Sequence, residues 1–114
     1  MIHYHNKRFR SVQNSANGEV GTATEFEYSE AQNIVTATYK GGNILSGHLI
    51  ALKNPDGSLD MRYHHVNVKG ELMTGTCHSV PELLPDGRLR LHESWRWTSG
   101  DGSEGQSIIE ELRG

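Results

Sequence analysis

The chain has 114 residues, a formal net charge of -3 and one cysteine. That length supports one domain with one core, and about two-thirds of the extended surface is buried at this size, so folding requires neither a disulfide nor a metal. Acidic and basic residues are interspersed, which gives no basic footprint for nucleic acid. No apolar run approaches the ~20 residues of a membrane-spanning helix. Cys77 has no partner in its own chain, which fits a reducing compartment. The opening MIHYHNKRFR lacks the apolar stretch of a signal peptide, and the cytoplasm is the expected location.

No window shows a helical period. Turn signals recur instead: Asn17-Gly18, Gly41-Gly42, Pro55-Asp56-Gly57, Lys69-Gly70, Pro85-Asp86-Gly87 and SGDGSEG over Ser99 to Gly105. Glycine and asparagine supply the positive φ that tight hairpins require. Between them lie eight strand-like runs, near 7–15, 21–29, 34–40, 43–53, 59–68, 71–80, 88–98 and 105–112. The spacing predicts an all-β fold, a small up-and-down antiparallel β-barrel of about eight strands, 1–114 forming one domain. Such a barrel removes the exposed edges of an open meander; a two-sheet sandwich is the alternative.

The seventh run, RLRLHESWRWT, orients the sheet. One row holds Arg88, Arg90 and Arg96; the other holds Leu89, Leu91, Glu93, Trp95 and Trp97. The tryptophan row faces in, because burying three arginines would be very costly. Register carries this choice along the chain. A three-residue loop at Pro85–Gly87 sets Trp95 opposite Cys77 and Trp97 opposite Gly75. A two-residue turn at Lys69-Gly70 then sets Gly75 opposite His64 and Cys77 opposite Arg62. A three-residue loop at Pro55–Gly57 sets His48 opposite His64 and Ile50 opposite Arg62. A turn at Gly41-Gly42 keeps Val35, Ala37 and Tyr39 on the same inner face. Phe26, Tyr28, Phe9, Ser11 and Gln13 follow. One bulge would invert everything beyond it, and Pro81 is the expected place for one.

On this reading the interior mixes apolar side chains with Ser46, His48, Arg62, His64, Cys77 and Glu93, and Glu93 is the expected partner of Arg62. Tyr39, His48, Arg62, His64, Glu93, Trp95 and Trp97 are the candidate ligand-binding residues. They could hold a small molecule, an anionic one included, against tryptophan walls. A self-satisfied ion pair in a solid core is the competing expectation. The opposite row would leave Leu45, Leu49, Met61 and Tyr63 as an outer apolar strip, a possible homodimer interface. No metal site and no cofactor are expected, since the histidine pairs are too few for zinc and no phosphate-cradling loop is present.

The segments YHNKRF, NGE, GHLIAL, MRYHHVN, KGELMTGTC and LHESWRWTSGDGSEG resemble, over nearly the whole chain, a group of short bacterial proteins that carry the label N-acetylglutamate synthase. The resemblance implies a lipocalin-like, or calycin-like, β-barrel. It carries no catalytic residues across to this chain. The chain shows neither the helix nor the Q/R-x-x-G-x-G/A turn of an acetyltransferase, so the expectation leans to a non-enzymatic barrel that binds a small molecule. An enzyme using Glu93, His64 or His48 as acid or base, and an interaction module with a solid core, are the alternatives.

Overall fold

The evenly spaced turns close eight antiparallel strands into a barrel. A computed structural model describes residues 2–113. The strands run in chain order: β1 (Lys7–Asn14), β2 (Glu25–Ala31), β3 (Ile34–Gly41), β4 (Ile44–Lys53), β5 (Leu59–Asn67), β6 (Leu72–Leu83), β7 (Leu89–Trp97) and β8 (Glu104–Glu111). Each pairs with its neighbours, and β8 returns to β1 through Phe9↔Glu111 and Ser11↔Ile109. Closure leaves no free edge, which makes the barrel rather than the sandwich the stable form of this meander.

The core forms where alternate residues point inward. Phe9, Phe26, Tyr28, Val35, Ala37, Tyr39, Leu89, Leu91 and Ile109 are buried, as the pattern of their strands predicts. The N-terminal segment plugs one end. Tyr4 is fully buried, stacks on Tyr28 at a centroid separation of 5.9 Å, and donates its hydroxyl to the Gly57 carbonyl at 2.6 Å.

The β4–β5 hairpin is inverted relative to the sequence reading. Its internal register is as expected, with His48↔His64 and Ile50↔Arg62, but the whole hairpin is turned over. Two hairpin connections account for this. Between β5 and β6 the loop has three residues, Val68 to Gly70, not two. Asn67 N–H donates to the Glu71 carbonyl, and Gly70 carries a φ of 77°. Cys77 therefore faces Met61, and Gly75 faces Tyr63. Between β3 and β4 the turn centres on Gly42-Asn43, and a register shift after it sets Tyr39 opposite Gly47 and Ala37 opposite Leu49. Each change flips the face once, so β1 to β3 recover the predicted orientation. Pro81, the expected bulge, sits in an unbroken ladder opposite Leu91. A shift between β1 and β8 near Ser11 and Gln13 instead leaves Gln13 exposed.

The inversion is what burial energetics favour. It puts Ser46, His48, Arg62 and His64 in water, together with Ile50, and it sends Leu49, Ala51 and Met61 into the core. The outer strip does not form. Leu49 and Met61 are buried, Tyr63 is half-buried toward the interior, and only Leu45 of the four is exposed.

Candidate functional site

At the end of the barrel away from Tyr4 the side chains do not fill the interior. A cavity of about 50 Å³ remains, lined by Asn14, Phe26, Tyr39, Leu49, Met61, Tyr63, His65, Cys77, Glu93, Trp95, Trp97 and Ser107 from the strands. Its walls are aromatic. Trp95 and Trp97 meet edge to face at 5.6 Å, and Tyr63 meets Trp97 in the same way at 5.8 Å.

Three of these rings lie over glycines of the neighbouring strand, where no Cβ obstructs them. Tyr39 covers Gly47, Tyr63 covers Gly75, and Trp95 covers Gly105, each ring being the register partner of its glycine. Gly75 also pairs with Trp97, as predicted, but the space above it is taken by Tyr63. A Cβ at Gly75 would strike the Tyr63 hydroxyl and lie 2.6 Å from the Arg96 carbonyl oxygen. Gly75→Ala is therefore expected to cost about 1–3 kcal/mol through overpacking, measurable by urea denaturation.

The residues from 15 to 24, between β1 and β2, fold over the mouth, where the sequence suggested only a tight turn at Asn17-Gly18. Trp97 donates its indole N–H to the Asn17 carbonyl at 3.1 Å. Glu19 reaches the cavity and accepts from Asn67 Nδ2 at 2.9 Å and pairs with His65 Nε2 at 2.7 Å. A carboxylate can only accept, so His65 Nε2 carries the hydrogen, and in the neutral ring Nδ1 accepts from the Tyr39 hydroxyl at 2.9 Å. Burial pushes the Tyr39 phenol well above its usual range, which keeps it a donor. Loop, His65 and cavity wall thus form one hydrogen-bonded chain.

Glu93 lies deeper. Its side chain is about nine-tenths buried, and burial pushes its carboxyl up to about 7 against the lowering pull of the Ser107 and Ser79 hydroxyls. Ser107 Oγ donates to Oε1 at a long 3.3 Å. Ser79, opposite Glu93 in the ladder, makes no hydrogen bond of good geometry, and the buried Tyr28 hydroxyl is also unpartnered. Arg62, the expected partner, points to solvent and donates to its neighbour's carbonyl. Among the described residues no cationic side chain pairs with Glu93.

The structure thus brings together Tyr39, Glu93, Trp95 and Trp97 of the predicted set. His48, Arg62 and His64 stand on the outer wall, where the two imidazoles stack at 5.7 Å. Sequence reasoning missed Glu19, Tyr63 and His65. A signal for the last two was present. Asn67-Val68-Lys69-Gly70 has the same glycine spacing as Asn54-Pro55-Asp56-Gly57, which is a three-residue loop, and that length puts Tyr63 and His65 inside. Among the described residues no three His, Cys, Asp or Glu side chains converge in a way that could hold a metal ion. Among the described residues no helix is long and apolar enough to cross a membrane.

The family model described as avidin-like protein matches residues 2–112, and the chain belongs to that family. Comparison with curated proteins and with solved structures gave no match.

Proposed function

We propose that this member of the avidin-like family binds one small molecule in the cavity beneath the 15–24 loop. An eight-stranded barrel is just wide enough to be filled by side chains or to hold one small ligand. The observation that supports the second possibility is the aromatic-walled gap at a single end, covered by a loop that hydrogen bonds to the wall. Tyr39, Glu93, Trp95 and Trp97 keep the ligand-contacting role read from the sequence, and Tyr63 and His65 join them. His48, Arg62 and His64 have no part in it. A dimer through Leu45, Leu49, Met61 and Tyr63 is not part of the reading either, because three of the four turn inward.

An N-acetylglutamate synthase activity draws no support from this geometry. Acetyl-coenzyme A is far larger than a cavity of about 50 Å³. His48 and His64, two of the three acid–base candidates, face away from the interior. The buried free thiol of Cys77 suits a reducing compartment such as the cytoplasm, where we place the protein.

Native mass spectrometry of protein purified gently from its source tests the binding. A small-molecule adduct that disappears on denaturation is the expected result; a clean apo mass counts against the reading. The loop makes a separate prediction. Removing the Glu19 carboxylate breaks its hydrogen bonds with His65 and Asn67, and charged bonds contribute about 1.5–3 kcal/mol each. In Glu19→Ala the amides of residues 16–20 are expected to exchange with solvent at least about tenfold faster, with the amides of β6 and β7 unaffected.

A further inference from the structure

The charge of the cavity wall narrows the class of ligand. Among the described residues no lysine or arginine lines it. Its ionisable groups are Glu19, Glu93, His65, Tyr39, Tyr63 and Cys77. Glu19 already has His65 and Asn67. Glu93 has one long bond from Ser107 and faces Cys77, Tyr28, Tyr39 and Tyr63, all held neutral by burial. Beyond the Ser107 and Ser79 hydroxyls, no cationic donor among the described residues meets its remaining acceptor capacity. A buried carboxylate in that position is stabilised by an arriving positive charge and destabilised by a negative one. Above it, Trp95, Trp97 and Tyr63 offer aromatic surface, the electron-rich faces of which attract cations.

We infer that the cavity selects a small organic cation carrying a primary ammonium, its N–H groups on the Glu93 carboxylate and its alkyl part against Trp95, Trp97 and Tyr63. This rests on the small-molecule reading above and reverses the preference for an anion that an inward Arg62 would have given. The unpartnered hydroxyl of Ser79, opposite Glu93 in the ladder, leaves further polar capacity beside the carboxylate. A primary ammonium presents three donors, which an alcohol of the same shape cannot match.

The test uses three probes of nearly equal shape: isobutylammonium, isobutanol and isobutyrate. They are titrated at about pH 8.5, where a Glu93 carboxyl raised to about 7 is ionised. The indole N–H signals of Trp95 and Trp97, the two tryptophans of the chain, report binding at the site in nitrogen–proton correlation spectra. Isobutylammonium is expected to bind at least about tenfold more tightly than isobutanol, with isobutyrate weakest. In Glu93→Gln that gap is expected to close while isobutanol binding persists. Isobutanol or isobutyrate equalling the cation, or a gap that survives Glu93→Gln, would overturn the cation assignment and leave the cavity standing. No response to any probe at millimolar concentration would overturn both.

Discussion

Glu93→Gln is expected to raise the melting temperature at pH 8 by about 10 °C and to leave it nearly unchanged at pH 4. The wild-type carboxyl ionises at about 7 in the folded barrel and at the ordinary 4.5 when the chain is unfolded. Between those values the folded state holds a proton that the unfolded state has released, so stability falls as pH rises. The loss begins near pH 4.5, is complete a little above pH 7, and amounts to at most about 3 kcal/mol. Below pH 4.5 the group is protonated in both states and contributes no slope. An amide is neutral throughout, and its NH₂ can reach the unpartnered hydroxyl of Ser79 across the ladder. The comparison between variant and wild type at each pH isolates this term from the surface carboxylates, among them Asp86, which its bonds from Arg88 and Arg113 hold well below the usual range. A variant stabilised equally at pH 4 and pH 8 would show that packing, not ionisation, governs the site.

Tyr4→Ala is expected to cost about 3–5 kcal/mol, enough to leave a domain of this size largely unfolded at physiological temperature. Tyr4 closes the end of the barrel that the loop does not cover. Its ring is fully buried on Tyr28, and its backbone N–H donates to Glu30 Oε1 at 2.9 Å. Glu30 in turn pairs with Lys53, whose ammonium also donates to the Ile2 carbonyl at 2.9 Å. Removing the ring opens the core to water at that end. Tyr4→Phe separates the two contributions. It keeps the ring and removes only the donor to Gly57, and is expected to cost about 1–2 kcal/mol by urea denaturation. Equal losses in the two variants would show that the hydroxyl, and not the plug, carries the stability.

These two sites were legible to different degrees. Glu93 was readable because Trp95 and Trp97 share its row in β7, and no other orientation of that strand keeps three arginines in water. Alternation likewise settled β1, β2 and β3, where Arg8, Arg10, Glu25, Glu27, Thr36 and Thr38 mark the outer face. In β2, β3 and β7 one row carries the aromatic side chains and the other is mostly polar, so local chemistry decides the face without reference to a partner.

In β4 and β5 it does not. MRYHHVN carries polar groups in both rows, and its orientation was inferred only through the two hairpins that flank it. A side-chain period of two makes each loop length and each bulge a binary choice, and the third loop residue at Val68–Gly70 and the register shift between Ile44 and Ser46 each reversed the outcome. What chose them was the closed barrel. With β8 paired to β1, the hairpin leaves Arg62 in water, where its charge needs no partner, and Leu49, Ala51 and Met61 complete the core. The hydrogen-bonded 15–24 loop shows the same division. Asn17, Glu19, His65, Asn67 and Trp97 span 80 positions of chain, the separation of the Asn17–Trp97 bond. Alternation along a strand says which way a side chain points; only closure of the sheet says what it meets there.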